Sequence, residues 1–339
     1  MLTPPFQSCQ RGLIDVPAVA IAEGQRLRIQ LPISALVERY TLNLRGTITI
    51  PGGGVAVAGT AKAWNAANII RELTMTLGSL GQIKRTNGVA LLSKAIARER
   101  VVPSMDNLTT AEIAAAGAYT YACSLPIDFA QFGFDAEEIG LLVSQAETQI
   151  DLEVVLGTFA ADQQVGGTYT YTNAATIDLV RSTLYPADWD PSYGTFREDF
   201  LRVTPTVAGW VDVRLPPKKF FRAIHLVSYA AAAPADVLSD AVLVAAELQM
   251  NSATIPLRAT AAQIRESMIQ RQGWPVGLAA PTGFNRWEPS RYSPLTFPRV
   301  SAGIDGTLAT EINLRLNLLA PAGAVVEVHY EILDPPGVQ

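Results

Sequence analysis

Charge is scarce in this sequence of 339 residues, with 26 Lys and Arg against 31 Asp and Glu, or 17% of the chain. Soluble domains usually carry about a quarter. The shortfall, together with 49% hydrophobic residues and a mean hydropathy of +0.20, excludes a disordered chain. A net charge of −5 gives no general attraction to nucleic acid or to an anionic membrane, and no sequence-specific nucleic acid binding is expected. Long apolar runs are missing as well. The longest stretch without a charged residue, Gly46 to Ala61, is broken by Pro51 and several glycines, so no segment reads as a membrane-spanning helix. The first residues have no basic start followed by an apolar core, so no secretion signal is expected. Cys9 and Cys123 allow one bridge at most and match no metal spacing. Lysine occurs only at Lys62, Lys84, Lys94, Lys218 and Lys219, an Arg-rich bias that suggests a GC-rich prokaryotic or phage gene.

What is abundant is strict alternation of apolar and polar residues, the mark of strands with one buried and one wet face. It runs through Leu27–Leu31, Leu42–Arg45, Leu73–Leu77, Ile150–Val154, Val211–Leu215, Ile312–Leu316 and Val326–Tyr330. Turn signals such as Pro51-Gly52, Asn87-Gly88, Gly166-Gly167 and Pro216-Pro217 fall between such runs. Helical periodicity is confined to Val89–Arg100, Thr110–Ala116 and Ala261–Gln272, all too short for a bundle.

The pattern repeats. Arg71-Glu-Leu-Thr-Met-Thr-Leu, then Ile83-Lys-Arg and a helix, recurs as Ala246-Glu-Leu-Gln-Met-Asn, then Ile255-Pro-Leu-Arg and a helix. Thr148–Val154 matches Thr310–Leu316, and Ile177-Asp-Leu-Val matches Val326-Glu-Val-His. The chain therefore reads as all-β, two tandem eight-stranded sandwiches with short helices in the connections. The boundaries are an N-terminal arm (1–20), a first jelly roll (21–186), a linker (187–196) and a second jelly roll (197–339). A jelly roll is the preferred strand order; an immunoglobulin-like or other Greek-key sandwich is the alternative.

The tandem units, the Ile69–Leu77 strand with its Ile83–Gly88 partner and helix, and the Ser124–Phe129 strand together resemble the double jelly-roll major capsid proteins of tailless icosahedral, often membrane-containing, phages. The resemblance covers about Glu23 to Pro336. It implies a structural protein that forms pseudo-hexagonal homotrimers and tiles an icosahedral virion shell, made in a host bacterial cytoplasm. Its partners would be itself, neighbouring trimers and penton or minor capsid proteins, and its N-terminal arm could reach an internal membrane. The loops Ile50–Ala63, Gln163–Ala175 and Val276–Pro298 are candidates for subunit contacts or an exposed crown. Within the last, Phe284, Trp287, Arg291, Tyr292 and Phe297 form the aromatic and Arg mixture of interface anchors.

No catalytic residue, metal ligand or cofactor site is expected. His329, in an alternating strand, reads as a surface residue, and His225 as a core or edge residue. There is no Gly-x-Ser-x-Gly elbow, and the Gly52–Gly54 loop lacks the Lys of a phosphate loop. The acidic groups Asp188/Asp190, Asp135/Glu137/Glu138 and Glu198/Asp199 read as ordinary loop and helix-start carboxylates. Two other functions fit a double sandwich: a carbohydrate-binding or adhesin module stacking sugars on Trp189, Trp274 or Trp287, and a hydrolase using Asp188 and Asp190.

Overall fold

The computed structural model describes residues 10–33, 36–78, 81–99, 102–128, 142–143, 149–185, 195–230, 237–251, 254–272, 284–287, 304–320 and 323–334. They form two compact units. The first contains β1 (Gln10–Ile21), β2 (Arg26–Gln30), β3 (Leu36–Ile50), α1 (Asn65–Asn68), β4 (Ile70–Leu77), β5 (Gly81–Thr86), α2 (Gly88–Glu99), α3 (Thr110–Ile113), β6 (Gly117–Asp128), β7 (Ile150–Leu156) and β8 (Thr172–Tyr185). The second contains β9 (Thr195–Val203), β10 (Gly209–Leu215), β11 (Phe220–Ala230), β12 (Leu243–Met250), β13 (Thr254–Thr260), α4 (Ala261–Gln272), β14 (Phe284–Trp287), β15 (Ile312–Leu318) and β16 (Val325–Asp334).

In the first unit the antiparallel strand orders are β1-β8-β3-β6 and β2-β7-β4-β5. In the second they are β9-β16-β11-β14 and β10-β15-β12-β13. Adding eight to every label of one unit gives the other, so both are jelly rolls of a single plan, and the immunoglobulin-like order is excluded. The sequence matches fall on counterpart strands: β4 with β12, β5 with β13, β7 with β15, and β8 with β16. In both rolls the long helix joins the fifth strand to the sixth.

Alternation builds each core. In the first roll Leu42, Leu44 and Ile48 of β3, Leu73 and Met75 of β4, Leu152 and Val154 of β7, and Ile177 and Leu179 of β8 are fully buried. In the second, Phe221, Leu226, Leu248, Leu314, Leu316, Val326 and Val328 belong to one cluster. Each such side chain contributes about 1.5–3 kcal/mol relative to exposure. The outermost strands β1 and β13 carry Pro17 and Pro256, and β1 has a bulge between Val16 and Val19. Proline removes a backbone donor and a bulge breaks the ladder, which discourages edge-to-edge aggregation.

Three expectations need correction. Residues 10–20 of the expected N-terminal arm are strand β1, paired with β8 from Gln10↔Tyr185 to Ile21↔Ala175. Its alternation is hidden in the sequence because the bulge at Pro17 shifts the phase. The expected loop Val276–Pro298 contains strand β14, which pairs with β11. His329 is fully buried rather than on the surface. It lies on β16, between β9 and β11, and the whole run Val325–Ile332 is buried on both faces.

Candidate assembly surfaces

At one end of the first roll the two expected loops are built into each other. Val55–Val57 pairs with Thr168–Tyr169, and Thr60–Ala61 pairs with Gln164–Val165, so the β3–α1 and β7–β8 connections form one two-layered extension. A network of polar groups, with Asn65 and Asp162 buried, holds its base. Glu23 accepts hydrogen bonds from the Phe159 N–H (2.6 Å), the Tyr171 hydroxyl (3.0 Å) and the Asn173 amide (2.8 Å). The Asn65 side chain ties Lys62 and Leu108 together through their backbones. Arg71 Nε lies 3.0 Å from both carboxylate oxygens of Asp162. Burial nevertheless raises the Asp162 carboxyl above its usual range, the Arg71 pair offsetting only part of the desolvation. Phe159 packs edge-on against Tyr169 and Tyr171, with ring centroids 5.2 and 4.9 Å away. Glu23→Ala should cost about 1–3 kcal/mol, because three donors lose one acceptor. Hydrogen exchange at the Phe159 amide should accelerate, with Glu23→Gln giving a smaller effect; unchanged exchange in both would remove this role.

The outer faces of the β2-β7-β4-β5 and β10-β15-β12-β13 sheets carry charge ladders. In the second roll, Asp212, Arg315, Glu247 and Arg258 alternate across all four strands at 2.9, 3.3 and 3.6 Å. The Arg315 guanidinium also lies over the ring of Trp210, 5.2 Å from its centroid. In the first roll, Arg28 pairs with Asp151 (2.5 Å), Arg26 with Glu153 (3.0 Å) and Arg85 with Glu72 (3.3 Å). The Arg28 hydrogen bond holds the Asp151 carboxyl below the usual carboxylate range. Its stabilisation is therefore present above the unfolded-state pKa and lost as pH falls through the lower folded-state value. Asp151→Asn should lower the melting temperature slightly at pH 7, a difference that shrinks on acidification below the normal aspartate range; a pH-independent difference would contradict the pairing.

Phe284 and Trp287 lie on β14, in register with Val227 and Ile224 of β11. Arg291, Tyr292 and Phe297 lie outside the described residues, as do Asp188, Asp190, Asp135, Glu137, Glu138, Trp189 and Trp274. Glu198 and Asp199 are consecutive on β9 and so point to opposite faces, which separates that acidic pair. Cys123 is buried, donates to the Ala66 carbonyl (3.2 Å), and has its thiol pushed up to about 12 by burial, the opposite of an activated nucleophile. His225 and His329 face each other across β11 and β16. His329 stacks on Phe200 (4.8 Å between centroids), and its Nε2 is 3.4 Å from Glu327. Among the described residues no group of three or more His, Cys, Asp or Glu is placed to hold a metal ion. No described helix is long and apolar enough to cross a membrane.

No family model matches the chain, and no curated protein sequence matches it. Its likeness is structural. The major capsid protein of the Sulfolobus turreted icosahedral virus superposes with a TM-score of 0.72 at 11% identity, covering 96% of this chain and 97% of the viral one. The PBCV-1 virus capsid gives 0.61 at 11% identity, over 96% and 95%. The major capsid protein P2 of bacteriophage PM2 gives 0.53 at 15% identity, over 97% and 99%. The chain therefore has the double jelly-roll fold seen in these icosahedral-virus major capsid proteins.

Proposed function

We propose that this chain is the major capsid protein of an icosahedral virion, that it forms homotrimers, and that these tile the shell as pseudo-hexagons. The observation that carries the reading is the end-to-end match in fold: both rolls are accounted for, with 96% of this chain and 97% of the viral capsid protein superposed and little of either left over for another activity. Two rolls of one plan per chain supply the geometry, since three chains give six similar rolls around an axis. Neighbouring trimers and penton or minor capsid proteins are the partners this role calls for. The test is the native mass of the purified chain by sedimentation. Three times 36.3 kDa, about 109 kDa, or a larger closed particle is expected. A monomer at every concentration would reject the reading and favour the carbohydrate-binding one.

A further inference from the structure

The extension of the first roll meets the body of the roll at the π-helical turn Phe159–Gln163, which follows β7. Two carboxylates hold the start of this turn by consecutive amides. Asp162 Oδ2 accepts from the Thr158 N–H (2.7 Å), and Glu23 accepts from the Phe159 N–H (2.6 Å). Their surroundings differ. Glu23 is half-buried, whereas Asp162 is only 6% exposed and packs so closely on the end of β7 that a Cβ at Gly157 would overlap its carboxylate. Protein atoms thus stand where water would otherwise surround the charge.

The charged and titratable groups around Asp162 come from four elements. Arg71 on β4 turns its Nε to both carboxylate oxygens, but its side chain is 51% exposed, so solvent screens the pair. Lys62, before α1, directs its ammonium to the Ala161 carbonyl at 2.7 Å. Glu23 on the β1–β2 turn and Tyr171 at the entry to β8 add no positive charge. Burial above all pushes the Tyr171 hydroxyl up to about 12, and both carboxylates add to the rise. For Asp162 itself desolvation is the largest influence and Arg71 the next, and the balance lies above the usual carboxyl range.

We propose that Asp162 is a proton-operated latch, which holds the extension more tightly when its carboxyl carries a proton than when it is charged. The bond from Thr158 survives protonation, because the carbonyl oxygen of the acid still accepts it, while the cost of a charge without water disappears. A group whose folded-state value is raised contributes stability that is present in acid and lost as pH rises through that value. The joint is therefore tightest on the acid side and loosest at neutral pH, the opposite sense to the Arg28–Asp151 pair. Because the extension carries Val57, 54% exposed, the latch sets how firmly an exposed apolar tip is held. The inference goes beyond the capsid reading and does not depend on it.

The test is hydrogen exchange on the full-length protein, read by mass spectrometry over a series of pH values and corrected for the intrinsic rate. The series stays above the ordinary carboxylate range, so that Glu23 keeps its charge. Protection of residues 158–162 should rise as pH falls, about tenfold for each pH unit by which the folded-state value exceeds the unfolded-state one. Strand β15 in the second roll should show no such gain. Asp162→Asn should give a flat profile. Arg71→Gln should move the rise to higher pH, because it removes the charge that favours the ionised form, a shift that a merely structural Arg71 would not produce. A flat wild-type profile, or a rise that persists in Asp162→Asn, would overturn the latch and leave the capsid reading untouched. If Asp162→Asn does not fold, the direction of the Arg71→Gln shift decides.

Discussion

Gly46→Val is expected to prevent the first roll from folding. Gly46 sits in the middle of β3, directly opposite Tyr121 on β6. A Cβ built at that position would overlap the Tyr121 ring, including its hydroxyl end. The ring has nowhere to go: Tyr121 is fully buried, and its hydroxyl donates to Asn173 Oδ1 at 3.0 Å on β8. Asn173 in turn donates to Glu23, so moving the ring disturbs the lock at the base of the loop extension. Overpacking alone costs about 1–3 kcal/mol, and an orphaned buried hydroxyl adds about 1–3 kcal/mol. Against a total stability of roughly 5–15 kcal/mol, the sum should move most of the chain into the insoluble fraction on expression. The mechanism is steric, so Tyr121→Ala should partly rescue it. The double variant should be more stable than Gly46→Val alone, a coupling that only contacting residues show. If Gly46→Val melts like the wild type, the proposed close packing is wrong.

The repeat was legible because polar and apolar positions alternate with a period of two wherever one strand face is wet. Ile312–Leu318 and Ile150–Leu156 reveal themselves this way, and so does their equivalence. The same rule failed where both faces are buried. His329 lies in such a strand, and its sequence neighbours Val328 and Tyr330 look no different from those of a surface residue. Strand β1 escaped because a bulge at Pro17 resets the alternation. The mutual pairing of the two loops was invisible for a different reason: Val55–Val57 and Thr168–Tyr169 are short and separated by more than a hundred residues, so no local signal records their contact. Glu23 likewise carries no local signal, since its three donors come from positions far along the chain.

Phe221→Ala and Trp210→Ala should separate folding from assembly in the second roll. Phe221 is fully buried in the core cluster and meets Tyr330 edge-on at 6.2 Å between centroids. Removing its ring should cost about 3–5 kcal/mol, since a sandwich fixed by two sheets cannot collapse far into the space. For a unit of this size that is a fall in melting temperature on the order of 10 °C. Trp210 is 40% exposed on β10, an edge strand, with Arg315 over its ring. Because Asp212 and Glu247 hold Arg315 independently, Trp210→Ala loses only an exposed cation–π contact and should shift the melting temperature by a degree or two. An exposed aromatic held in place before binding is also the kind of residue on which association depends. Its removal should therefore weaken assembly far more than folding, while Phe221→Ala does the reverse. Calorimetry and sedimentation on the same two preparations read both quantities. Equal melting losses in the two variants would mean that Trp210 is a folding residue.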